Sequence, residues 1–126
     1  VFAHEGGFNN IRADRGGATN FGISLRWLAA EAAINPQVAR LVGLPITAET
    51  IRGLSADSAA RLYLWCFWAP SHCDRLPPGV DGMLFDQVVN AGRSAGVRLL
   101  QRAINRAAYD EAIRAAPLLE DGQIGP

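Results

Sequence analysis

Two acids and a hydroxyl cluster near the start of the chain. They sit in the run His4-Glu5-Gly6-Gly7-Phe8-Asn9-Asn10 and in Asp14-Arg15-Gly16-Gly17-Ala18-Thr19-Asn20-Phe21-Gly22 that follows it. Glycoside cleavage needs one carboxylic acid that still holds its proton near neutral pH, and commonly a second group that positions water or attacks directly. Glu5, on a glycine hinge, suits the first role. Asp14 suits the second by orienting a water on the far side of a sugar ring, with Thr19 helping to hold it. The paired glycines let backbone approach a saccharide closely.

If Val1 to Glu5 form the last turn of a helix, Gly6-Gly7 ends it and the Glu5 carboxyl lies at the negative end of the helix dipole. That placement favours the neutral, proton-donating form. Burial beside Phe8 pushes the same way, because desolvation penalises a carboxylate. Taken singly, Glu-Gly-Gly is an ordinary helix end and Asp-Arg-Gly-Gly an ordinary Asx turn. Their succession is what points to chemistry. The way Val1-Phe2-Ala3-His4 runs straight into the motif suggests a helix whose start lies upstream, and Ile124-Gly125-Pro126 looks an equally abrupt end.

The elements that must carry these groups read as nearly all helix. Ile23 to Ala33 is rich in alanine and leucine, with Asn35-Pro36 stopping it. Thr47 and Ser55 each precede a helix-forming run, the first short. Leu54, Ala59, Leu62 and Cys66 approximate a helical stripe that continues to Trp68 before Pro70. Leu76-Pro77-Pro78-Gly79 is a turn. Val80 to Ala91 is helical and breaks at Gly92, and Ser94 is expected to cap a last helix through about Ala108. Alternation of apolar and polar residues is confined to a small irregular or β-hairpin loop near residues 10–22. Asp121-Gly122 marks a turn near the end.

At 126 residues the chain is long enough for one domain with a hydrophobic core. Its 12 basic residues, all arginine, balance 12 acidic ones, so no broad positive field favours nucleic acid. No apolar run reaches the roughly 20 residues of a membrane-spanning helix, and no signal-like leader opens the chain. Cys66 and Cys73 could close a small disulfide loop or remain thiols. No second Cys/His pair supports a zinc site, and neither metal nor cofactor is expected.

His4-Glu5-Gly6-Gly7-Phe8, with Asp14-x-Gly16-Gly17-Ala18-Thr19-Asn20-Phe21-Gly22-Ile23, resembles the opening signature of glycoside hydrolase family 108, the N-acetylmuramidases that include secretion-activator proteins. The likeness runs on through Leu62-Tyr63, Phe67-Trp68, Leu76-Pro77-x-Gly79-Val80-Asp81, Phe85-Asp86-x-x-Val89-Asn90-x-Gly92 and Leu100-Gln101. The resemblance implies a mainly α, lysozyme-like domain over residues 1–92. Residues 93–126 then form a helical extension packed on it as one globular unit, ending in Asp121-Gly122-Gln123-Ile124-Gly125-Pro126, which resembles the start of a peptidoglycan-binding segment.

The resemblance also implies a lysozyme-type muramidase acting on peptidoglycan glycan strands, with Glu5 as the catalytic acid. The setting would be the periplasm or cell wall, by an export route the sequence does not reveal, and a monomer is expected. Phage-type lysozymes place Asp after eight intervening residues, as Asp14 follows Glu5, and then a Thr. Thr19 comes one residue early for that pattern. Phe8, Asn20, Trp68, Asp86 and Asn90 are the expected glycan contacts. Asp86 and Asn90 are four apart on one helix face, lining a groove or forming a buried network. Trp68 sits in an aromatic-rich segment, where core packing competes with sugar stacking. His4 and His72 receive no role. The rival from another class is a non-catalytic peptidoglycan-binding module. A peptide-cleaving wall enzyme would need zinc ligands or a Cys/His pair in a defined setting.

Overall fold

The computed structural model describes residues 17–124. The chain divides into two compact units, residues 1–62 and 63–126. Six α-helices and one two-stranded hairpin lie among the described residues.

The first unit opens on β1 (Thr19–Asn20) and β2 (Ile23–Ser24), antiparallel, with Thr19 opposite Ser24 and Asn20 opposite Ile23. The expected hairpin therefore sits at the end of the glycine-rich loop and slightly beyond it. Its two loop residues, Phe21 and Gly22, both take positive φ (53° and 75°), the pattern whose twist matches a hairpin. Gly22 adopts this freely, whereas Phe21 does so at a cost of about 1 kcal/mol.

The Leu25 amide donates to the Ala18 carbonyl at 2.8 Å, closing the hairpin onto α1 (Leu25–Ile34). Ser24 caps that helix, its Oγ accepting from the Trp27 amide at 3.1 Å. Asn35 ends α1 by donating its backbone N–H to Glu31 O at 2.8 Å. The same residue opens α2 (Pro36–Val42): its Oδ1 accepts from the Gln37 amide at 3.0 Å, and Pro36 takes the first helical position. Asn35-Pro36 is thus a start as well as a stop, and α2 goes beyond the helices expected from the sequence. α3 (Ala48–Arg52) begins in a capping box of Thr47 and Thr50, and α4 (Ala56–Tyr63) follows. Leu28, Val38, Ile51 and Leu62 are fully buried. Each such side chain stabilises the fold by about 1.5–3 kcal/mol.

The second unit begins where α4 runs into a π-helical turn, Leu64–Trp68, closed by the Ala69 amide donating to Leu64 O at 2.9 Å. After Pro70 and a short 3₁₀ turn (Cys73–Arg75) come α5 (Val80–Ala91) and α6 (Arg93–Asp110), which pack extensively on each other. Gly92 (φ 90°), not Ser94, stands at the N-cap of α6, without a side-chain cap, and the helix runs two residues past Ala108.

The core of this unit is Cys73, Leu84, Val88 and Val97, with Phe67, Trp68, Leu76, Phe85, Leu100 and Ile124 packed against it. Gly96 brings the helices close: a Cβ there would lie 3.0 Å from Val88 Cγ2 and 3.1 Å from the Val88 amide nitrogen. The tail returns along α6. Asn105 donates to Leu118 O and accepts from its amide. Gln101 donates to Asp121 Oδ1 and Gln123 O and accepts from the Gly122 amide. Cys66 and Cys73 are not joined in a disulfide. Burial, then Asp81 and Asp74, pushes the Cys73 thiol above its ordinary value. No helix among the described residues is long and apolar enough to cross a membrane.

Candidate active site

Gly17 leads into the hairpin at φ 77°, a conformation that glycine takes without strain, with Leu25 Cβ 3.5 Å from where a Cβ would sit. β1 then carries two of the expected site residues. Successive strand residues face opposite ways, so Thr19 and Asn20 cannot share a face. Asn20 is the inward one. It is 7% exposed, and its Nδ2 donates to Ile51 O at 3.1 Å and to Arg52 O at 3.5 Å. That amide is engaged with the end of α3 and ties the strand to it. Thr19, half-buried, is held at a height set by this tie and by its pairing with Ser24. Glu5, Phe8 and Asp14 lie outside the described residues.

Trp68, Asp86 and Asn90 belong to the second unit. The half-buried Trp68 ring meets Phe85 edge-on at 5.5 Å, and Phe85 meets Tyr63 edge-on at 6.0 Å. Trp68 therefore takes part in the aromatic packing of this unit. Asp86 and Asn90 are both exposed on α5, so they do not form a buried network. Asn90 Nδ2 donates to the Asp86 backbone carbonyl at 2.9 Å, which leaves the Asp86 carboxylate facing solvent. Among the described residues, no three His, Cys, Asp or Glu side chains gather as metal ligands.

Two partners escaped the sequence reading. The Ile51 carbonyl, which receives Asn20 across 31 positions, leaves no mark in side-chain identity. Phe85 as the seat of Trp68 could have been suspected only from its place one turn before Val89 on an apolar helix face.

The glycosyl hydrolase 108 family model matches residues 1–92. The chain belongs to glycosyl hydrolase family 108. For this family 108 chain, SagA of Brucella abortus is a similar solved structure: TM-score 0.66 and 26% identity, covering 99% of this chain and 59% of that one. The chain spans about three-fifths of the length of SagA. No curated protein matches it. The family match and this similarity agree with the helices and hairpin in a mainly α, lysozyme-like fold.

Proposed function

We propose that this protein is a peptidoglycan hydrolase of the lysozyme type. It cleaves the β-1,4 bond between N-acetylmuramic acid and N-acetylglucosamine, with Glu5 as general acid. The observation that carries this reading is the family match over residues 1–92, which includes Glu5 and its glycine hinge, Asp14 and the whole hairpin.

In this reading Glu5 gives its proton to the leaving glycosidic oxygen as the bond breaks. Asp14 and Thr19 hold a water on the opposite face of the sugar, and its attack inverts the anomeric carbon. Such an inverting pair requires Glu5 and Asp14 to stand roughly 6.5–9.5 Å apart. Thr19 suits the water-holding role because β1 is fixed from both sides, by Ser24 across the hairpin and by Asn20 on Ile51. With its nitrogen engaged, Asn20 meets a glycan through its carbonyl oxygen or supports Thr19 instead. The exposed Asp86 and Asn90, and the half-buried Trp68, are the glycan contacts of the second unit. The protein acts as a monomer at the cell wall.

The test is digestion of purified sacculi, followed by reducing-end release and mass spectrometry of the muropeptides. Glu5→Gln is expected to keep the fold and to lower hydrolysis by about 10²–10⁴-fold, the usual contribution of a general acid. Sedimentation with sacculi and no release of reducing ends by the wild type would instead identify a binding module.

A further inference from the structure

The first turn of α6 and the loop before the 3₁₀ turn enclose a cavity of about 100 Å³ lined by Ser71, His72, Arg93, Val97, Gly122 and Ile124, among others. Ser71 is 1% exposed and its Oγ has no hydrogen-bond partner. A buried hydroxyl in that state is costly unless something completes it. Arg93 opens the 18-residue α6 behind Gly92, which offers no side-chain cap, so the first-turn N–H groups and the positive end of the helix dipole are left to other partners.

The Arg93 guanidinium is held by its own bond, Nη1 to Pro70 O at 3.1 Å, and no carboxylate pairs with it among the described residues. The nearest acid along the tail, Asp121, is occupied: its Oδ1 accepts from Gln101 and from the Gln123 amide.

We propose that this cavity is a subsite for a single carboxylate, supplied by the peptide that peptidoglycan carries on its muramic acid. A carboxylate has two acceptor oxygens and no donor, which suits the unpartnered hydroxyl of the lining residue Ser71 together with the Arg93 guanidinium and the first-turn N–H groups. Only the source of the carboxylate rests on the function proposed above; the anion site stands on the cavity itself.

The test is amide NMR of the full chain with muramyl dipeptide, its carboxamide analogue and acetate alone as probes, none of which holds a β-1,4 glycosidic bond to be cut. Saturable shifts at Ser94, Ala95, Gly96 and Gly122 are expected with the dipeptide. Affinity should be about tenfold weaker for the carboxamide and for Arg93→Gln, the loss of one charged hydrogen bond. Ser71→Ala should weaken binding in the same direction. Equal affinity for dipeptide and carboxamide, or no saturable shift, overturns the subsite. Acetate binding as tightly as the dipeptide overturns the wall-peptide assignment. Wall hydrolysis by the wild type without these shifts defeats the subsite alone, and shifts without hydrolysis defeat the muramidase reading alone.

Discussion

Replacing Asn20 tests whether the hairpin is held by the bond to α3. Asn20→Ala removes a buried donor and leaves the Ile51 carbonyl without it, at 3.1 Å from where the amide stood. The Leu54 amide still donates to that carbonyl at 3.2 Å, so the loss is that of one buried hydrogen bond, about 0.5–1.5 kcal/mol. With a urea dependence of roughly 2 kcal/mol per molar, the unfolding midpoint should fall by about 0.3–0.7 M. Asn20→Asp is the sharper probe because it keeps the shape. At pH 7 it sets a carboxylate against a carbonyl, so the loss should exceed that of the alanine variant. Protonated, the new acid donates to Ile51 and restores the bond. Burial and the facing carbonyl raise its pKa in the folded state. The folded state therefore binds the extra proton, and stability relative to wild type improves as pH falls from 7 towards 4. The assay is urea unfolding of wild type and both variants at the two pH values. An Asn20→Asp protein as stable as wild type at pH 7, or equally impaired at both pH values, would refute this account of the hairpin.

Gly96→Ala should destabilise the second unit by about 1–3 kcal/mol, because its methyl would press on Val88 Cγ2 and on the α5 backbone; thermal unfolding reads this directly. Cys73, held above its ordinary thiol value by burial, stays protonated in the folded chain when the unfolded chain has begun to ionise. Stability should thus decline as pH rises beyond about 9, and Cys66 should alkylate faster than the buried Cys73 in timed iodoacetamide labelling followed by mass spectrometry. The Asp121 carboxyl lies below its ordinary value because the Gln123 amide and the Gln101 side chain donate to it. The tail's hold on α6 is therefore present above the ordinary Asp range and lost as pH falls below it, and smaller protection factors at Gly122 and Gln123 in acid, taken against the slower intrinsic exchange there, would register the release.

Much of the helical framework is legible in the sequence because its punctuation is local. Ser55, Thr47, Gly79 and Gly92 mark ends that the structure reproduces, and the Val80–Ala91 helix keeps its expected bounds. What escaped was decided by backbone geometry or by distant contacts. Ser94 resembles a cap, but the chain already turns at Gly92, two residues earlier, leaving Ser94 inside the first turn against Gly122. Asn35-Pro36 reads as a terminator because an apolar helical run ends there; that the same pair also starts a helix shows in the bonds Asn35 Oδ1 accepts from the Gln37 and Val38 amides. Thr19, Asn20, Trp68, Asp86 and Asn90 are singled out in the sequence by residue type and by the family resemblance alone. That Asn20 faces inward, and that Asn90 chooses a backbone carbonyl over the Asp86 carboxylate, depends on strand parity and helix geometry rather than on identity.

Asn35 joins α1 to α2 with no spare residue between them: its backbone closes one helix while its side chain starts the next. An elbow without slack cannot flex without breaking a bond at one end or the other. Leu28 and Val38, on its two arms, are both wholly shielded from water, so loosening either arm uncovers apolar surface. Residues 25–42 should accordingly melt as a single cooperative block, and a mutation at this one asparagine would unfasten two helices at once.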